Sequence, residues 1–115
     1  MEEIIKMLKL EYHPEGALCN DFNAINFAKS LWESTKVGPQ HVKVGNWLII
    51  EASRVLITEG IIPHDQLFVV YNGNIMEVNK YAAYKDFNRD IPSHSLDFSE
   101  KIVKYGIKVR KQERK

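Results

Sequence analysis

The dipeptide Asn72-Gly73, set between QLFVVY and NIMEVNK, constrains the fold of this chain more than any other feature. Asn and Gly both accept the positive φ of a type I′ turn, and the β-branched and aromatic residues on either side suit paired strands. The pattern predicts an antiparallel hairpin over residues 66–80. Its register stays open. A two-residue loop places Leu67 and Val69 on the core face with Val78 and Met76, whereas a three-residue loop groups Phe68, Val70, Met76 and Val78.

Two helices are predicted upstream of the hairpin. Phe22, Ile25, Ala28, Leu31 and Trp32 recur at three- and four-residue steps, with Asn23, Asn26, Lys29 and Glu33 on the opposite side. Asp21 is suited to cap this helix and Val37-Gly38-Pro39 to stop it, giving residues 22–36. A second helix over residues 46–59 opens on Asn46 as its cap and ends at Gly60. It is apolar almost all round, and Glu51, Arg54 and Thr58 are expected to form a narrow strip facing solvent.

The remaining segments carry weaker patterns. The opening EEIIKMLKLEY fits a helical face through Ile4, Ile5 and Leu8 or a strand through Leu8, Leu10 and Tyr12, and the strand reading, ending at His13-Pro14, is preferred. A brief extended piece is expected at His41–Val44. Asp97 and Glu100 have capping-box spacing, which predicts a short helix at about residues 98–105 ended by Gly106. Ile107 and Val109 then alternate with Lys108 and Arg110, as in a short edge strand. The fold class expected is α+β: a small antiparallel sheet centred on the hairpin and packed by the helices. Residues 1–105 are expected to form a single domain, and residues 106–115 a basic tail.

Charge is distributed unevenly. Residues 101–115 hold seven of the 16 Lys and Arg and one of the 15 acids, a net +6; residues 1–100 hold nine cations against 14 acids, a net −5. Such asymmetry points to an anionic partner, with Lys104, Lys108, Arg110, Lys111, Arg114 and Lys115 available for phosphates. Tyr105 is the one aromatic within the run, so base stacking is poorly provided for, and no helix-turn-helix, zinc-finger or RNA-recognition signature accompanies it.

Catalytic and ligand-binding signatures are sparse. His13, Cys19, His41, His64 and His94 lack the paired spacings of zinc sites, so no metal is expected. A Cys19–His41 pair oriented by Asp21 would need three separate elements to converge. Glu77 and Lys80, three apart on a strand, point to opposite faces and do not form a nuclease-like site, and Asp86 and Asp90 read as solvated acids. Glycine-rich phosphate loops are absent from the sequence, and no cofactor is expected. The single cysteine and the lack of a leader pattern suit a cytoplasmic protein, and no apolar stretch is long enough to span a membrane.

Residues 42–92, with VGNWLIIEASRVLITEGIIPHDQLFVVYNG at their centre, resemble the helix-then-strand segment near the end of some ATP-binding-cassette-type defence ATPases. The likeness covers under half of the chain and includes none of their nucleotide-binding signatures, so no function or site residue follows from it. The expected function is that of a small non-enzymatic interaction or regulatory protein with a protein partner, anchored by Tyr81, Tyr84 and Phe87. The alternatives are a nucleic-acid-binding protein using the basic tail, and a small enzyme assembled in space from Cys19, His41, Asp65 or Glu77. Homodimerisation through a hairpin edge or an apolar helix face is also open.

Overall fold

The computed structural model describes residues 6–17, 23–71, 73–84 and 96–113. In chain order the elements are β1 (Leu8–Ala17), α1 (Ala24–Glu33), β2 (Gln40–Val44), α2 (Trp47–Thr58), β3 (Leu67–Tyr71), β4 (Asn74–Glu77) and α3 (Leu96–Glu113). The fold is α+β, with three helices and a four-stranded sheet in the order β2-β1-β3-β4 among the described residues.

The hairpin forms as β3 and β4, antiparallel, with Tyr71 opposite Asn74 and Val69 opposite Met76. That is the two-residue register. Gly73 takes φ of 78°, the left-handed region that the turn demands, while Asn72 lies outside the described residues. Val69 and Met76 are both buried, so pleating turns Leu67, Val69, Met76 and Val78 inward and Phe68, Val70, Ile75 and Glu77 outward.

The expectation of an antiparallel sheet is corrected. β1 pairs in parallel with both β2 and β3 while the β3–β4 hairpin is antiparallel, making a mixed sheet. Helical crossovers cause this: α1 carries the chain from β1 to β2 and α2 carries it from β2 to β3, so each strand restarts from the same end of the sheet. β1 also runs beyond His13-Pro14 to Ala17, which pairs again with Val44. The register shift between Tyr12 and Ala17 is a bulge, one of the few places where a strand tolerates proline. Gly16 sits in that bulge because a Cβ would lie 2.5 Å from the Val44 carbonyl carbon.

Helix boundaries follow local chemistry. α1 begins after Asn23 rather than at Phe22; Asp21 and Phe22 lie outside the described residues. It buries Ala24, Ala28 and Trp32 and tightens into a 3-10 turn before Gly38. α2 starts where expected, with the Asn46 side chain accepting the Leu48 N–H at 2.9 Å. Its solvent strip does not exist as expected, since Glu51 is 3% exposed and Arg54 and Thr58 are only half-exposed. The sheet, α1 and α3 surround this helix, and the turn around residue 82 covers what remains.

Gly106 was expected to end the last helix, yet α3 continues through it to Glu113, replacing the expected edge strand. Gly is a poor helix former by about 1 kcal/mol against Ala, but it cannot break a helix whose inner face is held on both sides of it. Ile102 and Gly106 are buried, and Phe98, Tyr105 and Val109 are half-buried.

Candidate functional site

α3 has three distinct faces, fixed by the 100° turn per residue of an α-helix. Phe98, Ile102, Tyr105, Gly106 and Val109 form the face that packs inward. Lys101, Lys104, Lys108 and Lys111, spaced three or four residues apart, share an adjoining arc, and all four are exposed. Val103, Ile107 and Arg110 form the remaining flank, where Val103 is 60% and Ile107 48% exposed. Lys108 and Lys111 of the expected basic tail therefore join Lys101 and Lys104 of the expected short helix in one lysine stripe, set by helix geometry beside an apolar flank.

The helix macrodipole explains part of this charge. Arg110 and Lys111 lie in the last turn, where cations are favourable, whereas Lys101 and Lys104 lie beyond the first turn, outside the reach of the dipole. The first part of the stripe is therefore not accounted for by the helix's own electrostatics. Among the described side chains its ion pair is Lys104 with Glu100 at 3.8 Å, both largely solvated, an arrangement worth little.

The distal end of α3 is tied to the body. Glu113 forms an ion pair with Lys80 and accepts a hydrogen bond from the Tyr81 hydroxyl at 2.7 Å. Lys80 therefore holds its proton more tightly than a free lysine, chiefly through Glu113, and Glu113 ionises more readily than usual, chiefly through Lys80. The Tyr81 ring is also faced by Arg110 at 4.7 Å and by Lys80 at 5.4 Å.

Beneath α3 lies a cleft of about 210 Å³ lined by Arg54, Tyr81, Ile102, Val103, Ile107 and Arg110, among others. The turn at its edge is organised by Asn79. The Asn79 carboxamide oxygen accepts the N–H groups of Tyr81 and Ala83, and its main chain bonds both Ala82 and Ala83. Ala82 is held at φ of 64°, an uncommon conformation for a residue with a Cβ. This fixes the Ala82 carbonyl, which accepts the Arg54 Nε–H at 2.8 Å. The Arg54 guanidinium then lies 4.2 Å above the Tyr84 ring.

Tyr84 closes the core side of this cluster. Its ring approaches Trp47, which also packs on Tyr12 and Tyr71 at 5.7 and 5.4 Å. The Trp47 indole nitrogen has no hydrogen-bond partner among the described residues, and the Tyr84 hydroxyl makes no well-formed hydrogen bond there, although the Arg54 guanidinium lies close enough to act on it electrostatically. Burial pushes the Tyr84 phenol up to about 12, overcoming the opposite pull of Arg54. Tyr12 lies where the regular pairing of β1 ends, Tyr71 ends the adjacent parallel strand β3, and Trp47 opens α2, the helix that follows β2. Open α/β sheets place ligands at such a point; here packed aromatic rings occupy it.

The other expected site residues are scattered. Tyr81 and Tyr84 are half-buried and engaged within the chain, while Phe87 and Arg114 lie outside the described residues. Lys104, Lys108, Arg110 and Lys111 lie on α3. His13 accepts the Glu15 N–H, His41 pairs with Glu11 at 2.9 Å across the outer sheet face, and His64 lies 3.4 Å from the Val78 carbonyl. Cys19, Asp21, Asp86, Asp90 and His94 fall outside the described residues, and Asp65 and Glu77 are exposed. No three His, Cys, Asp or Glu among the described residues gather as metal ligands, and no described helix is long and apolar enough to cross a membrane.

Lys101, Arg54, Val103 and Ile107 were not anticipated as site residues. The 101/104/108/111 spacing is the signal that would have added Lys101, had the segment been read as one helix. Comparison of the chain with protein-family models, with curated proteins and with solved structures gave no match.

Proposed function

We propose that this is a non-enzymatic binding protein that engages a polyanion, a nucleic-acid backbone, through the lysine stripe of α3. The observation that carries this reading is the placement of Lys101, Lys104, Lys108 and Lys111 on one exposed arc of one helix. Four ammonium groups on a rigid rod neutralise phosphates at a lower ordering cost than four on a frayed segment. Recognition would track the backbone rather than the sequence, because the stripe carries no planar or aromatic group to read base edges.

Fluorescence anisotropy with a duplex oligonucleotide tests it. Binding is expected to weaken with salt at a log–log slope of roughly −3 to −4, as for about four phosphates at about 0.9 each. Replacing the four lysines with glutamine should abolish binding while leaving the thermal midpoint nearly unchanged. No binding at low salt ends the reading.

That outcome would leave a protein partner, including a second copy of the chain, as the better account. It has its own support in the outer sheet face, where Phe68 and Val70 are half-exposed and Ile75 is 56% exposed. Parallel strands are ordinarily covered on both faces. An Ile75→Lys substitution that lowers the sedimenting mass, or breaks a co-purifying complex, would support that account.

A further inference from the structure

We propose that the cleft between α2, the turn at residues 79–83 and α3 binds a small amphipathic carboxylate, its anion held by Arg54 and Arg110 and its apolar body against Val103 and Ile107. This inference is independent of the polyanion reading, which uses a different arc of α3.

The cationic half of the site is built in advance. Arg54 is fixed at two points, by the bond from its Nε to the Ala82 carbonyl at 2.8 Å and by the Tyr84 ring 4.2 Å below its guanidinium. Among the described residues the Ala82 carbonyl takes its Nε–H, and the four N–H donors on the terminal nitrogens are shared between the neighbouring Tyr84 side chain and a ligand. Arg110 is steadied over Tyr81 at 4.7 Å and lines the same cleft. Among the described residues the nearby ion pairs, Lys80 with Glu113 and Lys104 with Glu100, include neither guanidinium. Glu113 is already compensated by Lys80 and by the Tyr81 hydroxyl, and Glu51, one turn before Arg54 on α2, is buried and does not line the cleft. Two guanidinium groups lining one space can supply the paired donors that the two oxygens of a carboxylate accept.

The apolar half distinguishes the ligand from a bare inorganic anion. A solvated helix flank beside arginine would ordinarily be polar, yet Val103 and Ile107 stand there 60% and 48% exposed, with Ile102 buried behind them. An alkyl or aryl group would cover them. The volume of about 210 Å³ falls below the roughly 300–1,000 Å³ of drug-sized sites, so the ligand is short.

The test is a titration of the ¹⁵N-labelled full chain with hexanoate at constant ionic strength, with hexanol and inorganic phosphate as the uncharged and non-apolar controls. Saturable amide shifts centred on Val103, Gly106 and Ile107 are expected, with a millimolar dissociation constant of the order that so small a probe reaches. Hexanol and phosphate should each bind at least about tenfold more weakly, because each supplies half of the interaction. Arg110→Gln should weaken hexanoate about tenfold, and Ile107→Ser about threefold; both positions are exposed, so folding can be confirmed from the undisturbed core resonances. A leucine-terminated peptide with a free carboxylate, compared with its amide, distinguishes a chain terminus from a free organic acid as the source of the anion. Absence of saturable shifts, equal binding of hexanol or phosphate, or unchanged affinity in Arg110→Gln would overturn the proposal.

Discussion

α2 and α3 pack against each other, yet they are built on opposite terms. α2 buries ten of its twelve residues, including Glu51 and Ser53, and leaves only Arg54 and Thr58 partly reachable. α3 has 18 residues and, among its described side chains, buries only Ile102 and Gly106 fully, while lysines cover one arc and exposed alkyl groups another. The first helix is where stability is concentrated. The second is held by a narrow seam and one distal tether, so its surface is free to be specialised. Arg54 joins the two: it arises from the buried helix and reaches the cleft beneath the exposed one.

The largest expected effect tests that division directly. Ile50→Ala in α2 should destabilise the protein by about 2–5 kcal/mol, as expected for a fully buried isoleucine, whereas Ile107→Ala on the flank of α3 should change stability by no more than about 0.5 kcal/mol. Chemical denaturation of both variants measures this. A comparable loss at Ile107 would make α3 a core element and break the comparison.

A pair of glycines gives effects of intermediate size and opposite sign. Gly16→Ala should destabilise by about 1–3 kcal/mol, because its Cβ would meet the Val44 backbone at 2.5 Å. Gly106→Ala should stabilise by up to about 1 kcal/mol, because the new Cβ meets Tyr81 at an ordinary 3.7 Å and the helix gains a better former. Thermal melts settle both. Destabilisation by Gly106→Ala would mean that the seam between α3 and the turn is tighter than its geometry indicates.

The smallest effects concern pH and separate the two helices once more. Tyr84 is raised by burial to about 12, so its stabilising contribution is complete below pH 10 and is lost as pH rises through about 12. Tyr84→Phe should remove that alkaline loss, seen as melts that diverge from wild type only above pH 10. Glu113 is lowered, so its tether contributes above about pH 4.5 and is lost as pH falls through its folded value; the raised Lys80 loses its part at the alkaline end. Glu113→Gln should therefore show its difference from wild type at pH 7 and lose it as pH falls below the ordinary carboxylate range, by the same melts.

Much of the local structure was legible in the residues. Asn46 capping, the stop at Gly60 and the hairpin across Gly73 each depend on a few neighbouring atoms, and each formed as read. Sheet direction was not legible. Leu8, Leu10 and Tyr12 fit a parallel strand as well as an antiparallel one, and only the crossovers through α1 and α2 decide between them. Lys104, Lys108, Arg110 and Lys111 were visible as a charged run, but their arrangement was hidden by Gly106, whose local preference against helix is outweighed by the seam around it. The cleft was invisible altogether, since Arg54, Tyr81 and Ile107 are brought together from three separate segments.

By itself, then, the sequence determined the α+β class, the caps and turns, and the uneven division of charge, because these depend on spacing and on contacts within a few residues. Only the tertiary structure decided that Glu51 is buried, that the sheet is mixed, and that the basic segment is a helix with a lysine arc on one side and a cleft on the other. These outcomes depend on packing between residues far apart in the chain, and that packing can outweigh local preferences worth about 1 kcal/mol.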